Sequence, residues 1–350
     1  MKLGLSLSYV TNEQQLHDTI ALAVAADEIG FDVVWIAEAY GSDAATMLAA
    51  IGARTSRIGL GSGVLQIPAR TPAMTAMTAA TLDTLSGGRF RLGLGVSGPQ
   101  VSEGWHGVRY ADPLGRTREY VEIVRKALTR RRVTADGEHF TLPLPGGEGK
   151  PLILAIHPYR ERLPIYLAAI GPKNLDLTGE IADGWLGIFF DPRTGRPSIQ
   201  RILDAATRAG RDPGQLDIAV TATLSVHEDP QVAANAVRAS AALYIGGMGS
   251  KKTNFYHRNA TAMGYGAEAD LVQERFLSRD YEGAAAAVPF EFLDATCLLG
   301  DPQRIAQRLV DYREAGITTV NVGPTGATLA ERIENLRSVY AAAEAAGVLS

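Results

Sequence analysis

The chain has 350 residues, long enough for one large α/β barrel or for two ordinary domains. Its 46% hydrophobic and 21% charged residues, with 37 glycines, are those of a soluble globular chain with a sizeable core and many tight turns. A formal net charge of -4 leaves no basic footprint for nucleic acid, because the one dense basic run, Arg130-Arg131-Arg132, ends a predicted helix where cations suit the dipole.

Short β-branched or apolar runs alternate with longer segments of helical period. Leu3 to Tyr9 reads as a first strand, and Glu13 to Ile29 as a helix with apolar Leu16, Ile20, Val24 and Ile29. A turn at Gly30 leads into Val33-Val34-Trp35-Ile36, the continuous apolar run of a parallel strand covered on both faces. The alternation predicts helix 43–54, strand 58–65, helix 72–85 ending at Gly87-Gly88, and strand 90–96, with a further helix beginning near Asp112. Strand 164–169, helix 172–182, strand 184–189, strand 216–226, helix 230–246, helix 301–315, strand 318–322 and a closing helix near 327–346 complete it. Eight strands in such alternation predict a single (β/α)₈ barrel, a TIM barrel, over residues 1–350. Two stretches are too long for plain connections: 133–163, rich in Gly and Pro, and 247–296. Both read as excursions that shape a site at the C-terminal face of the barrel. The second carries Lys251, Lys252, Asn254, Tyr256, His257 and Arg258 after Gly246-Gly247, which reads as a mobile lid controlling substrate range.

Three glycine-rich strand ends invite a ligand. Gly93-Leu94-Gly95-Val96-Ser97-Gly98 matches GxGxxG, but it follows the fourth strand and runs into Pro99-Gln100, so a Rossmann turn is disfavoured and only a close approach to the backbone is implied. Ala168-Ala169-Ile170-Gly171-Pro172-Lys173 joins a strand to a helix, and its free amides with Lys173 form either a phosphate site or a plain turn. Gly59, Gly61 and Gly63 interrupt an otherwise good strand, as a bulge, a flat ligand against the backbone or packing space for a helix would require. The six histidines show no HxH or HExxH spacing and no surrounding carboxylate cluster, and neither GxSxG nor a P-loop occurs, so no metal centre is expected. The lone Cys297 excludes an internal disulfide, fits a reducing compartment and reads as a small buried apolar residue. The apolar start is too short for a signal peptide, and no stretch approaches about 18 uncharged apolar residues, so a cytoplasmic chain without membrane contact is expected. Scarce acid-base residues around glycine-rich strand ends point to chemistry carried by a bound cofactor.

Across nearly its whole length the chain resembles the bacterial luciferase-like superfamily, and within it the deazaflavin-dependent reductases and dehydrogenases. The resemblance rests on Phe31 to Glu38, Arg57 to Arg70, Leu85-Ser86-Gly87-Gly88-Arg89-Phe90, Gly300-Asp301-Pro302 and Ala315-Gly316-Ile317. Val96-Ser97-Gly98-Pro99-Gln100 with Glu103-Gly104-Trp105-His106-Gly107 is more like the deazaflavin-binding members than the flavin monooxygenases. It implies hydride transfer between coenzyme F420 and a small organic substrate, in a homodimer paired through surface helices. It implies that Gly61, Ser62, Gly63 and Val64 form a bulge, often with a cis non-prolyl peptide, behind the tricyclic ring. It also implies that Val96, Ser97, Gly98, Pro99 and Gln100, with Ala169, Ile170, Gly171 and Lys173, hold the cofactor's tail, which Arg70 and Arg89 could also meet. The second strand's end, Glu38-Ala39-Tyr40, departs from relatives that carry a histidine or tryptophan there. Glu38, Tyr40 and His106 remain the candidates for proton transfer or substrate orientation, lying at or just after strand ends. The rival readings are an FMN-dependent monooxygenase on the same fold and a non-catalytic cofactor-binding protein.

Overall fold

A computed structural model describes residues 1–249 and 253–350, so Lys251 and Lys252 of the second excursion lie outside the described residues. Eight parallel strands close on themselves: β1 (Lys2–Leu7), β2 (Val33–Ile36), β3 (Gly59–Ser62), β4 (Phe90–Gly95), β5 (Ile165–Ala168), β6 (Gly184–Ile188), β7 (Asp217–Val226) and β8 (Thr319–Pro324). Each pairs with the next and β8 returns to β1, with Lys2 opposite Thr319. All four residues of β2 are buried, as its unbroken apolar run requires when helices cover one face and the barrel interior fills the other.

Most connecting helices start on a side-chain cap. Asn12 caps α1 (Glu13–Ile29), Asp43 caps α2 (Ala44–Gly52), Thr71 caps α3 (Pro72–Leu85) and Asp112 caps α5 (Pro113–Leu128), each by accepting a first-turn amide. α6 (Pro172–Ile181), α13 (Pro302–Ala315) and α14 (Leu329–Ala345) follow the predicted spans within one or two residues. Between barrel and helices lies one continuous core, which includes Leu5, Ile36, Leu92 and Val320.

Inside the barrel a separate cluster of Val33, Trp35 and Tyr166 forms a floor. Trp35 and Tyr166 meet edge-on with centroids 5.0 Å apart. Glycine makes room for both rings: a Cβ at Gly61 would lie 2.2 Å from the Trp35 ring, and one at Gly184 would lie 2.2 Å from that of Tyr166. The Gly61 space is therefore filled by a side chain inside the barrel, not by a packed helix. Below this floor Asp217 accepts hydroxyls from Tyr166 at 2.9 Å and Thr319 at 2.7 Å.

Four departures from the sequence reading concern helices. α4 (Pro99–Gly104) follows β4 directly, so the glycine-rich turn does open a helix, though one of only 6 residues. α7 (Arg196–Arg208), unpredicted, buries only Ile199, Ile202, Ala205 and Ala206 beneath a polar face. The predicted helix 230–246 is α8 (Pro230–Ala242) followed by a π-turn over Leu243–Gly247. The 247–296 excursion is largely helical, comprising α9 (Phe255–Ala262), α10 (Gly266–Leu277), α11 (Tyr281–Ala287) and α12 (Phe290–Thr296) around its own core of Val237, Val272, Phe292 and Leu293. Cβ atoms at Gly246 and Gly247 would lie 2.5 and 2.4 Å from Phe276, so these glycines permit close packing of the π-turn on α10.

The 133–163 excursion leaves α5 and enters β5, so its ends sit below the barrel, where Arg160 pairs with Asp83 and the Phe90 carbonyl. Only its hairpin, Ala135–Asp136 against Thr141–Leu142, climbs beside α5, and His139 at its tip meets Asp112 at 3.0 Å. Asp112, Glu138 and His139 thus gather carboxylates around one histidine, which the linear spacing did not foretell. Cys297 is buried as expected, and burial pushes its thiol up to about 11. Among the described residues no helix is long and apolar enough to cross a membrane.

Candidate active site

The ends of β2, β3 and β4 are built around a bulge. Leu60 pairs with Phe90, whereas Leu65 of the following Leu65–Gln66 segment pairs with Leu94, so the third strand uses five residues where its neighbour uses four. Within the extra turn the Gly63-Val64 peptide is cis, as the family resemblance implied. The Gly63 amide donates to the Ile36 carbonyl at 2.8 Å. Ser62 lashes the bulge to β4, its hydroxyl donating to the Gly93 carbonyl and accepting the Gly93 amide, both at 2.9 Å. Cβ atoms at Gly93 and Gly95 would lie 2.0 Å from the Ser62 carbonyl and 2.6 Å from Val64. What approaches these two glycines closely is therefore the neighbouring bulge.

A hydrogen-bonded chain crosses the same three strand ends. Ser97, at φ 60, donates its hydroxyl to Gln66 Oε1 at 2.8 Å. The Gln66 side chain donates to the Glu38 carbonyl at 3.1 Å, and its amide donates to Glu38 Oε1 at 3.3 Å. Glu38 Oε2 accepts the Ala44 amide at 3.2 Å and Arg70 Nη2 at 3.0 Å, while Arg70 also pairs with Asp43. The Glu38 side chain is 9% exposed. Its carboxylate is thus occupied in joining β2 to α2 and β3. Arg70, a candidate for the cofactor tail, is committed to this network. Arg89 faces the opposite end of the barrel, donating to the carbonyls of Gly52, Thr55, Ile58 and Ser86, and so cannot meet a tail at the strand ends.

Three helices following barrel strands begin without a side-chain cap: α4 at Gly98, α6 at Gly171 and α7 at Gly195. At Gly195 a Cβ would strike Phe190 at 2.2 Å, whereas at Gly98 and Gly171 it would meet nothing within 4 Å. Only α4 and α6, after the adjacent strands β4 and β5, present uncapped first turns to open space. Such a turn offers oriented N–H groups and the positive end of the dipole to an anion. Ala169 lies beneath, its carbonyl accepting the Trp185 indole at 2.9 Å. Lys173 is exposed, forms no ion pair among the described residues, and lines a cleft of about 220 Å³ with Leu114, Gly115, Arg118, Leu177 and Glu180.

Of the three proton-transfer candidates, no hydrogen bond joins any two among the described residues. Tyr40 is 53% exposed and packs its ring 5.9 Å from that of Tyr9. The His106 Nε2 atom is buried without a hydrogen-bond partner, as is the Tyr110 hydroxyl four residues on. Burial raises the Tyr110 phenol above its ordinary value, and Arg258 of α9 opposes the rise. An unpartnered buried polar atom requires a water or ligand, and two on one connection single it out. Sequence reading missed Gln66, Tyr9 and Tyr110, since nothing in linear spacing sets them beside these strand ends.

A closed parallel barrel with open, uncapped amides on its strand-end face belongs to the (β/α)₈ proteins that build their sites there. More narrowly, the chain belongs to the luciferase-like monooxygenase family, whose model matches residues 1–319. It is 42% identical, over 97% of its length and 99% of the relative's, to a Mycobacterium tuberculosis protein provisionally named a coenzyme F420-dependent oxidoreductase. It is 31% identical to the 5,10-methylenetetrahydromethanopterin reductase of Archaeoglobus fulgidus, covering 85% of this chain and 86% of that one. The coenzyme F420-dependent tetrahydromethanopterin reductase from Methanopyrus kandleri superposes with a TM-score of 0.78 at 24% identity, over 96% of this chain and 97% of that one, and shares its fold.

Proposed function

We propose that this protein is a coenzyme F420-dependent oxidoreductase that transfers a hydride between the deazaflavin and a small organic substrate. The observation that carries the reading is the pair of uncapped helix starts at Gly98 and Gly171, both opening on free space after the adjacent strands β4 and β5. The donor set fits an elongated anionic cofactor. Ser97, Gly98 and Gln100 at one helix start, and Ile170, Gly171 and Lys173 at the other, supply amides and a cation for phosphate and carboxylate groups. Gly61 to Val64 provide the flat backing, stiffened by Ser62 and floored by Trp35. When bound, a deazaflavin supplies a hydride-carrying carbon in place of the reactive flavin nitrogen.

The chain's own residues orient and shield. Ser97 is held by Gln66, and Gln66 by Glu38, so the shape of the β4 end depends on Glu38 without any proton leaving it. Tyr40 and His106 hold or pass a proton at the substrate, through the Tyr40 hydroxyl, which also meets Tyr9, and the unpartnered His106 Nε2. The protein acts in the cytoplasm as a homodimer. Pairing is supported by Met74, Met77 and Leu85, exposed at 48%, 50% and 66% on one side of α3.

Titrating the purified protein with F420 and with FMN tests the reading. F420 binds at least tenfold more tightly, about 1.4 kcal/mol, and FMN with a flavin reductase and NADH supports no substrate-dependent oxygen uptake. Tighter FMN binding with such uptake overturns hydride transfer in favour of a monooxygenase.

A further inference from the structure

The tip of the 133–163 hairpin is held against α5 by Glu119, whose carboxylate accepts the amides of Glu138 and His139 at 2.9 Å and of Phe140 at 3.0 Å. The Phe140 ring meets that of Tyr120 edge-on with centroids 6.0 Å apart, and Arg116 lies over its face at 5.7 Å. These contacts fix the backbone at Glu138 and His139 without using either side chain. The His139 side chain is only 9% exposed, and its Nε2 lies 3.0 Å from Oδ2 of Asp112, at the start of α5.

Asp112 divides its two oxygens between two tasks. Oδ1 accepts the Gly115 amide at 3.2 Å and caps α5, while Oδ2 faces the imidazole. Glu138 adds a third donor, so that one oxygen from each carboxylate and one ring nitrogen of His139 lie within 4.8 Å of one another. Beside this group the chain leaves a cradle that any side chain would fill. A Cβ at Gly115 would lie 2.0 Å from Asp112 Oδ2 and 3.1 Å from His139 Nε2. Gly115 also lines the cleft of about 220 Å³ between α5 and α6, which opens a path to the cradle. Two donors each about 2.1 Å from a tetrahedral ion stand roughly 3.4 Å apart, so the Asp112–His139 pair need open by only a few tenths of an ångström to hold one. Glu138 is exposed and turns in to join them.

We infer that Asp112, Glu138 and His139 form a binding site for one divalent transition-metal ion of the zinc type, outside the barrel's strand-end site. An imidazole nitrogen with two carboxylates suits such an ion, whereas magnesium and calcium favour shells of oxygen alone. Three protein donors leave a fourth position for water or a small anion. The bound ion ties the hairpin tip to the residue that caps α5, and its binding free energy adds to the stability of that junction. The inference stands apart from the choice of cofactor.

Calorimetric titration of the full chain, freed of metal by a chelator, with zinc chloride tests the site. The parent takes up one zinc ion per chain, and magnesium and calcium bind at least a hundredfold more weakly. His139→Ala and Glu138→Gln each weaken zinc at least tenfold, and zinc raises the melting temperature of the parent but not of His139→Ala. Glu138 is exposed and its carboxamide keeps the shape, so Glu138→Gln folds and decides the matter even where the buried His139 position does not tolerate alanine. Circular dichroism checks both variants. Zinc affinity unchanged in Glu138→Gln, no stoichiometric uptake by the parent at millimolar zinc, or magnesium binding as tightly as zinc overturns the inference and leaves only adventitious surface binding.

Discussion

Ser97 sits in a left-handed conformation, at φ 60, with its hydroxyl 2.8 Å from Gln66 Oε1. A non-glycine residue in this region is held there by its surroundings. Gln66, itself 5% exposed, is the holder. Gln66→Met keeps the volume but removes both side-chain hydrogen bonds, leaving the Ser97 hydroxyl and the Glu38 carbonyl without that partner. Stability falls by about 1–3 kcal/mol in urea unfolding, and F420 affinity falls with it. Unchanged F420 affinity in the folded variant would separate the Ser97 turn from the cofactor.

Glu38 accepts two backbone amides and the Arg70 guanidinium, so removing its carboxylate affects the fold before it affects any reaction. Glu38→Ala destabilises by about 2–4 kcal/mol, cushioned because Arg70 keeps Asp43. Glu38→Gln retains an acceptor and loses less. Single-turnover hydride transfer should follow stability and cofactor affinity across the two variants. A hundredfold rate loss in a fully stable, cofactor-saturated Glu38→Gln protein would restore the carboxylate to the chemistry.

Asp183 is a separate test of the barrel's frame. It holds Arg125 at 2.8 Å, Arg162 at 2.5 Å and the Ile165 amide at 2.9 Å, at the entry to β5 and β6. Burial opposes its ionisation, but Arg125, Arg162 and that amide outweigh burial and hold the carboxyl below its ordinary value. A depressed folded pKa contributes stability that is complete above the unfolded value of about 3.9 and is lost as pH falls through the folded one. Asp183→Asn therefore lowers the urea midpoint at pH 7, and its deficit relative to the parent shrinks below about pH 4. A deficit constant from pH 7 to pH 3 would contradict the assignment.

The barrel was legible because its strands are continuous apolar runs and most of its helices carry caps and turns at both ends, as Asn12 and Gly30 do for α1. The excursion's helices were not, since segments of 7 to 12 residues, such as Tyr281–Ala287, complete too few turns to display a period. Their alanines also contribute little to an amphipathic pattern. At the site, glycines marked the right strand ends but not their neighbours. Gly61 makes room for Trp35 and Gly93 for Ser62, contacts between residues 26 and 31 positions apart that only closure of the barrel creates. Gln66 was invisible for the same reason, because its partners Glu38 and Ser97 come from two other strand ends.

The glycines themselves supply the sharpest test, because the structure divides them into those that pack and those that face open space. At Gly61 and Gly93 an added Cβ lands 2.2 Å from the Trp35 ring and 2.0 Å from the Ser62 carbonyl. Alanine at either position overpacks the barrel and should cost about 1–3 kcal/mol, more at Gly93, where the obstacle is backbone and cannot rotate away. At Gly171, φ -74 is ordinary for any residue and a Cβ meets nothing within 4 Å. Gly171→Leu should therefore cost about 1 kcal/mol or less in stability, the scale of replacing one uncapped N-terminus by a slightly poorer one. The leucine side chain nevertheless occupies the approach to the α6 amides. F420 affinity should drop at least tenfold, about 1.4 kcal/mol, and Lys173→Ala should produce a smaller drop because it removes one exposed charge. Thermal melts and F420 titrations on the four variants separate the two classes. A Gly171→Leu protein that melts like the parent and binds F420 equally well would remove the cofactor tail from this helix start.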